Sequence, residues 1–431
     1  MKGAPSAAAE SGVWIIEKLV PGGDALAHLA DGRVAFVAGA VPGDSIRPLA
    51  IEARKGHVRV TRFEIVSPSK DRVLPPCPVA EACCGCDWMA IAGPAQLVHK
   101  ERLLRSALER TGGVSGLPEP LPFTASEAAL GYRSRVRFQV DGEGRIGFFA
   151  RASHELVEIP SCAVASPEID AALATLRRVP REALAAFSEI ELRSAPEEPR
   201  ISLLLVPRVR FGAGPSLKAV KAKAPSSWAM AVRGEESGDE AGVQRLPLPG
   251  GTHVAAVPGV FTQVNWGVNR ALVEAVVAGA RERGVTRFLD AYAGAGNFSL
   301  PLLASGMVGI SVERDARAVE CARRAAAELG LSAEGFVVGD AREKLGELAR
   351  RGERFDLVLL DPPRSGAKDA TSDVARLGAP TIALCSCDPV TLARDVASLA
   401  KHGYRLDGVR GFDMFPATHH LEALAWIKRS T

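Results

Sequence analysis

The chain has 431 residues, with 53 Lys and Arg against 50 Asp and Glu, a net charge of +3 and eight cysteines. That length provides for two or three domains with ample core, and no apolar run is long enough for a bilayer-spanning helix. A net charge so close to zero does not by itself argue for a nucleic-acid partner, so the distribution of charge has to carry that question.

Residues 1–11 are small and polar and are expected to form a flexible tail. They hold no apolar signal core. With eight cysteines and no sign of a secreted disulfide framework, the chain is expected in a reducing cytoplasm.

From 12 to 70 the pattern alternates in short strands, at 13–19, 33–37, 45–50 and 57–65, broken by Pro21-Gly22-Gly23, Asp31-Gly32 and Pro42-Gly43-Asp44. Strands of that length and spacing predict a small closed barrel of the OB-like kind. Within 47–72 stand Arg47, Arg54, Lys55, Arg59, Arg62, Lys70 and Arg72, against Glu52, Glu64 and Asp71. A local excess of cations on such a barrel suits an RNA surface; a solvated basic face without a partner is the plain alternative.

Residues 71–255 are expected to form a mixed α/β central domain. Cys77, Cys83 and Cys86 are spaced by five and then two residues in a loop with proline and glycine, and Cys162 follows at a distance. Three clustered thiols and a fourth from elsewhere make a four-thiolate set, which zinc or a four-iron four-sulfur cluster accepts. Cys84 is a further thiol in the same loop. A helix is predicted over 94–111, ended by Gly112-Gly113. A strand over 131–138 puts Arg133, Arg135 and Arg137 on one face, as an RNA surface or as edge-strand protection. Strands follow at 190–193 and 201–206, and 224–242 reads as a loop.

The last segment, 256–431, alternates strand and helix, as a doubly wound α/β sheet does. An apolar strand at 287–290 runs into a turn of small residues through Gly294 and Gly296, which lets backbone N–H groups approach a ligand. Glu313 ends the next strand, where an acid can accept hydrogen bonds from ribose hydroxyls. Asp340 ends the one after, and a further strand runs into Asp361-Pro362-Pro363-Arg364. This order resembles the class I S-adenosylmethionine-dependent methyltransferases. Cys387 stands where a buried strand gives way to a helix, a place that exposes a nucleophile and favours its thiolate. Alternatively, Cys385 and Cys387 are small apolar residues ending a core strand; Cys321 and Cys385 are expected to pack in the core.

Taken together, the motifs resemble the RNA 5-methyluridine (uracil-C5) methyltransferase family, in its form with an N-terminal TRAM domain and an iron–sulfur cluster, as in the 23S rRNA enzymes. The matches are Phe261-Thr262-Gln263-Val264-Asn265, the loop with Tyr292, Gly294, Gly296 and Asn297, Asp361 to Arg364 with Gly366, Ser386-Cys387-Asp388-Pro389, and Pro416 to Glu422. Ala293 stands where the family usually has cysteine. Asp388 replaces its asparagine and adds a charge expected to raise the neighbouring thiol. The resemblance implies Cys387 as nucleophile and Glu422 as base. It implies Gln263, Tyr292, Gly294, Asn297, Glu313, Asp340 and Asp361 around S-adenosylmethionine, and Cys77, Cys83, Cys86 and Cys162 around a 4Fe-4S cluster, with zinc as the alternative. His419 and His420 would orient the loop, and Phe261 would stack on a base or start a strand.

The implied partner is structured RNA, ribosomal before transfer RNA, acted on by a monomer without a membrane. An inactive RNA-binding module, 5-methylcytidine formation and hydride transfer are the competing readings. The last leaves Cys387 and the Asp-Pro-Pro motif idle.

Overall fold

In the computed structural model, which describes residues 12–83, 85–151, 153–209, 214–234 and 242–430, the first sheet closes on itself. Its strands run in the order Trp14–Ile15, Ser45–Arg54, His57–Ser67, Val34–Val37, Ala25–His28, Lys18–Leu19. Trp14 pairs with Ile46 and Lys18 with Leu26, so the stretch 14–19 joins both edges into a barrel. Val58, Val60, Val37, Ile46 and Ala27 fill it. Ala25–His28 was not foreseen: Ala-Leu-Ala carries no β-branched signal. At the base of the barrel, Asp44 is fully buried, yet its carboxyl lies below the ordinary value. Burial raises it, but Arg72 and the amides of Ser69 and Val41 outweigh that. The expected tail 1–11 and Cys84 lie outside the described residues.

The central sheet runs Leu156–Glu158, Ile146–Phe149, Arg135–Val140, Phe187–Ala195, Glu198–Pro207, Ala229–Val232. Helix Pro167–Leu176 covers one face through Ile169, Leu173 and Leu176. Arg135–Val140 pairs with Phe187–Ala195 from Arg135 to Gln139 and with Ile146–Phe149 only at Gln139 and Val140, so Arg135 and Arg137 stand where one edge of the strand is unpaired. One feature departs from the sequence expectation. The expected loop 224–242 contains the strand Ala229–Val232, which pairs in parallel with Glu198–Pro207; within it, 235–241 lie outside the described residues.

The third sheet has eight strands: Phe336–Val338, Val308–Glu313, Arg287–Asp290, Leu357–Leu360, Thr381–Ser386, Glu422–Arg429, Tyr404–Phe412, Phe123–Thr124. The first five are parallel and Glu422–Arg429 runs antiparallel to Thr381–Ser386. Chain order reverses between Arg287–Asp290 and Leu357–Leu360, and the strand ends beside such a reversal are where open α/β sheets hold ligands. The eighth strand and the helix Gly93–Arg110 come from the stretch grouped by sequence with the central domain. Leu104, Ala107, Leu108 and Leu121 nevertheless pack with Leu392, Val396 and Leu399 in one core. Phe123 sits over Gly411, where any Cβ would strike its ring. Among the described residues no helix is long and apolar enough to cross a membrane.

Candidate active site

A cleft of about 1700 Å³ opens along the carboxyl ends of the parallel strands. Gln263, Tyr292, Gly294, Asn297, Glu313, Asp340 and Asp361 line it, as do Cys387 and Glu422. Residues 159 positions apart in sequence thus converge on one space because each stands at a strand end or in the loop that follows it.

One side of the cleft is built by backbone. The loop after Asp290 turns so that the Gly294 N–H donates to Glu313 Oε2 at 3.0 Å, while Asp315 N–H donates to Oε1 at 2.8 Å. Asn297 exchanges amide hydrogen bonds with Asn269, at 2.8 and 3.0 Å, which fixes the orientation of both. Asp340 lies at the rim and caps the helix Ala341–Arg350, accepting from Arg342 and Glu343 amides at 3.0 and 3.3 Å. Asp290 is buried beneath the loop and accepts from Ser299 at 2.7 Å. Burial pushes its carboxyl up to about 7.

The opposite side carries the reactive groups. Burial pushes the Cys387 thiol up to about 11; the nearby Glu422 adds to this and Arg364 opposes it. The helix terminus therefore does not deliver a ready thiolate. The change from asparagine to Asp388 acts differently from the expectation as well: its carboxylate accepts from Thr391 N–H at 2.7 Å and caps the helix Pro389–Ala400. Burial, not Asp388, is the leading cause of the raised thiol.

Glu422 is 3% exposed, and its Oε1 has no hydrogen-bond partner among the described residues. An unpartnered buried carboxylate oxygen is costly unless a ligand or proton occupies it. Burial, reinforced by Asp361, holds Glu422 well above the ordinary carboxylate range, and burial brings Asp361 up to about 7. His420 is lowered to about 4 by burial, then by His419 and Arg364, so it stands neutral beside Arg364. Gly366 adopts φ +80°, and a side chain there would strike Asp395 and Thr391.

Cys77, Cys83, Cys86 and Cys162 line a second cavity of about 180 Å³ walled by Val79, Met89, Val136, Phe148 and Ile159. Burial raises the Cys86 thiol to about 12, and burial raises Cys162 as well. Among the described residues no group of three or more His, Cys, Asp or Glu side chains is gathered as for one metal ion. Gly85 and Arg133 line both this cavity and the cleft, so the two spaces share a wall. Cys321 and Cys385 are buried in the core, as expected.

The arginine face of the central sheet divides. Arg133 and Arg135 line the cleft, with Arg135 stacked 4.4 Å over the ring of Phe261, itself 57% exposed. Arg137 is held by Glu191 at 2.9 Å. On the barrel, Arg47, Arg54, Arg59 and Arg72 are paired with Glu64, Glu52, Asp24 and Asp44, so the local cation excess is partly neutralised within the fold.

Comparison with known proteins bears on this geometry. A family profile described as tRNA (uracil-5-)-methyltransferase matches residues 251–430. The chain is 33% identical to the 23S rRNA (uracil(1939)-C(5))-methyltransferase of Pseudomonas putida, over 95% of this chain and 92% of that protein. It belongs to the RNA uracil-C5 methyltransferase family. It is also 32% identical to an uncharacterized RNA methyltransferase of Gloeobacter violaceus, over 96% of both chains. The crystal structure of Pyrococcus abyssi tRNA (uracil-54, C5)-methyltransferase with S-adenosyl-L-homocysteine has the same fold, with a TM-score of 0.76 at 23% identity, covering 96% and 99% of the two chains.

Within this RNA uracil-C5 methyltransferase, sequence reasoning passed over three residues of the cleft region. Asn269 lies one turn into a helix and reads as an ordinary surface amide until its pairing with Asn297 is seen. Asp290 had a signal, an acid ending an apolar strand like Glu313 and Asp340. Arg133 was read as surface, although it separates the thiols from the cleft.

Proposed function

We propose that the protein methylates carbon 5 of a uridine in 23S ribosomal RNA, through a covalent bond between Cys387 and carbon 6 and with Glu422 removing the carbon 5 proton. The observation that carries this reading is the unpartnered, buried Glu422 Oε1 in the same cleft as Cys387. The choice of 23S RNA rests on the relatives that bear that name.

Carbon 5 of uracil is a weak nucleophile. Once the Cys387 thiol has lost its proton to solvent, its sulfur adds to carbon 6, and the electron pair of the 5,6 double bond becomes an enolate. Bound S-adenosylmethionine would supply an electrophilic methyl group to carbon 5, with its carbon–sulfur bond breaking and S-adenosylhomocysteine leaving. The ionised Glu422 carboxylate then accepts the carbon 5 proton; the electrons re-form the double bond and expel the Cys387 sulfur. A positioned base contributes on the order of 10²- to 10⁴-fold. Arg364, the cation that opposes the rise in the thiol's pKa, favours the thiolate in the first step.

Glu313 is suited to the donor's ribose hydroxyls, with Gly294 holding its orientation. Gln263, Tyr292, Asn297, Asp340 and Asp361 complete that pocket. Phe261, exposed and backed by Arg135, is suited to stacking on a base. The barrel is read as a TRAM domain that meets RNA, with phosphate competing for its paired arginines.

Cys77, Cys83, Cys86 and Cys162 fit a 4Fe-4S cluster: four thiols line one cavity with Val79, Met89, Val136, Phe148 and Ile159, a donor set that a cluster accepts, as zinc does. Methyl transfer moves no net electrons, so these residues would have a structural or RNA-orienting task.

The test is methyl transfer from labelled S-adenosylmethionine to unmodified 23S, 16S and transfer RNA transcripts, with mass analysis of the nucleosides. 5-Methyluridine in 23S RNA alone is expected. Label in transfer RNA would reassign the substrate, 5-methylcytidine would overturn the base, and no label in any would favour a binding module.

A further inference from the structure

The hairpin loop 413–421 joins Phe412 to Glu422, which pair across the hairpin. A loop that aims a base needs its backbone fixed; Thr418 bonds locally to the Phe415 carbonyl, and distant segments supply further anchors. The Ala417 N–H donates to Gln96 Oε1 at 2.8 Å and the Ala417 carbonyl accepts from Trp88 N–H at 3.0 Å. Ala417 holds φ +64°, in the left-handed region that a non-glycine residue occupies at a cost of about 1–2 kcal/mol. Tyr132 donates its hydroxyl to the Pro416 carbonyl at 3.0 Å. Lys100, 0% exposed, donates to Asp413 and to the Phe415 carbonyl at 2.9 Å. The second amide function of Gln96 is anchored in turn, its Nε2 donating to the Ile91 carbonyl at 2.8 Å.

We infer that Gln96, Lys100 and Tyr132 are positioning residues for Glu422: the segment that follows the cysteine loop sets the shape of the loop from which the base projects. The inference rests on the reading of Glu422 as the base. It gives the N-terminal half a part in one chemical step, proton removal from the methylated adduct, and not only in RNA capture. A loop free to relax at Ala417 would move the carboxylate away from carbon 5, and displacements of about 1 Å in such sites cost up to about 100-fold. Addition of Cys387 and methyl transfer do not use Glu422 and would be spared.

The experiment uses the full-length protein with verified cysteine-site occupancy, an RNA transcript established as substrate and labelled donor in single turnover. Denaturation-stable protein–RNA species are quantified against free methylated RNA. Gln96→Leu is expected to slow release roughly 10- to 100-fold, so that methylated covalent RNA accumulates while the Kd for S-adenosylmethionine stays within about twofold. Tyr132→Phe, which removes one hydroxyl, is expected to give the same species with a slowing of about 3- to 10-fold, and it decides the matter if Gln96→Leu does not fold. Glu422→Gln is run beside them. If it accumulates the methylated adduct and the folded loop variants do not, the positioning inference is overturned and the base assignment stands. If Glu422→Gln does not accumulate it either, both fall.

Discussion

Asp361 and Glu422 both line the cleft, and burial and then the charge of Asp361 hold the Glu422 carboxyl well above the ordinary carboxylate range. A base must be ionised to accept a proton. Because its pKa is raised, the release rate should climb as pH increases through that raised value. In Asp361→Asn the extra charge is gone, so the acid limb of the single-turnover release profile should move to lower pH. A limb at the parent's position would mean that Asp361 does not set the base.

Cys387→Ala and Glu422→Gln should fail at different steps. Without the thiol, no covalent RNA species forms and turnover is abolished, while S-adenosylmethionine binding by calorimetry stays within a few-fold. Without the base, the methylated covalent species persists and release falls by on the order of 10²-fold or more. Methylated free RNA from Cys387→Ala would remove the covalent pathway.

Asp388 can be exchanged for asparagine with little effect, since both side chains cap a helix equally well. Asp388→Asn should shift stability by less than about 0.5 kcal/mol, whereas Asp388→Ala should cost roughly 1 kcal/mol in denaturant unfolding. Equal losses in both would mean that the bond to Thr391 is not what the residue contributes.

Asp290 should leave a signature in stability against pH. Its carboxyl rises from an ordinary 3.8 to about 7 in the fold, so the folded state holds a proton that the unfolded chain releases. The stability this gives is complete below the unfolded value and is lost as pH rises through about 7. Asp290→Asn should therefore flatten the decline in melting temperature between pH 5 and 8. An unchanged slope would assign the decline to Asp361 and Glu422 alone.

Much of the site was legible because its residues sit in short local motifs: Asp361 to Arg364, Ser386 to Pro389 and Pro416 to Glu422 each declare a strand end or the loop that follows. What was hidden lies in contacts between distant segments. The apolar face of the helix Gly93–Arg110 reads the same whichever sheet it covers, so its place in the methyltransferase core could not be read from its period. Nothing in the sequence marks Lys100 for burial, and only the structure shows it paired with Asp413. A raised Cys387 thiol was expected from Asp388, but its leading cause was hidden for a related reason: burial depends on the whole fold, and it outweighs the pull of the helix position towards a thiolate.

The pairing of Lys100 with Asp413 spans 313 positions. At about 5–20 residues per second of synthesis, Lys100 is made roughly 15 to 60 s before its partner. Throughout that interval the helix that bears it presents Leu104 and Leu108 with no methyltransferase sheet to cover them. The helix Pro389–Ala400, made late, brings Leu392, Val396 and Leu399 against it and ends that exposure.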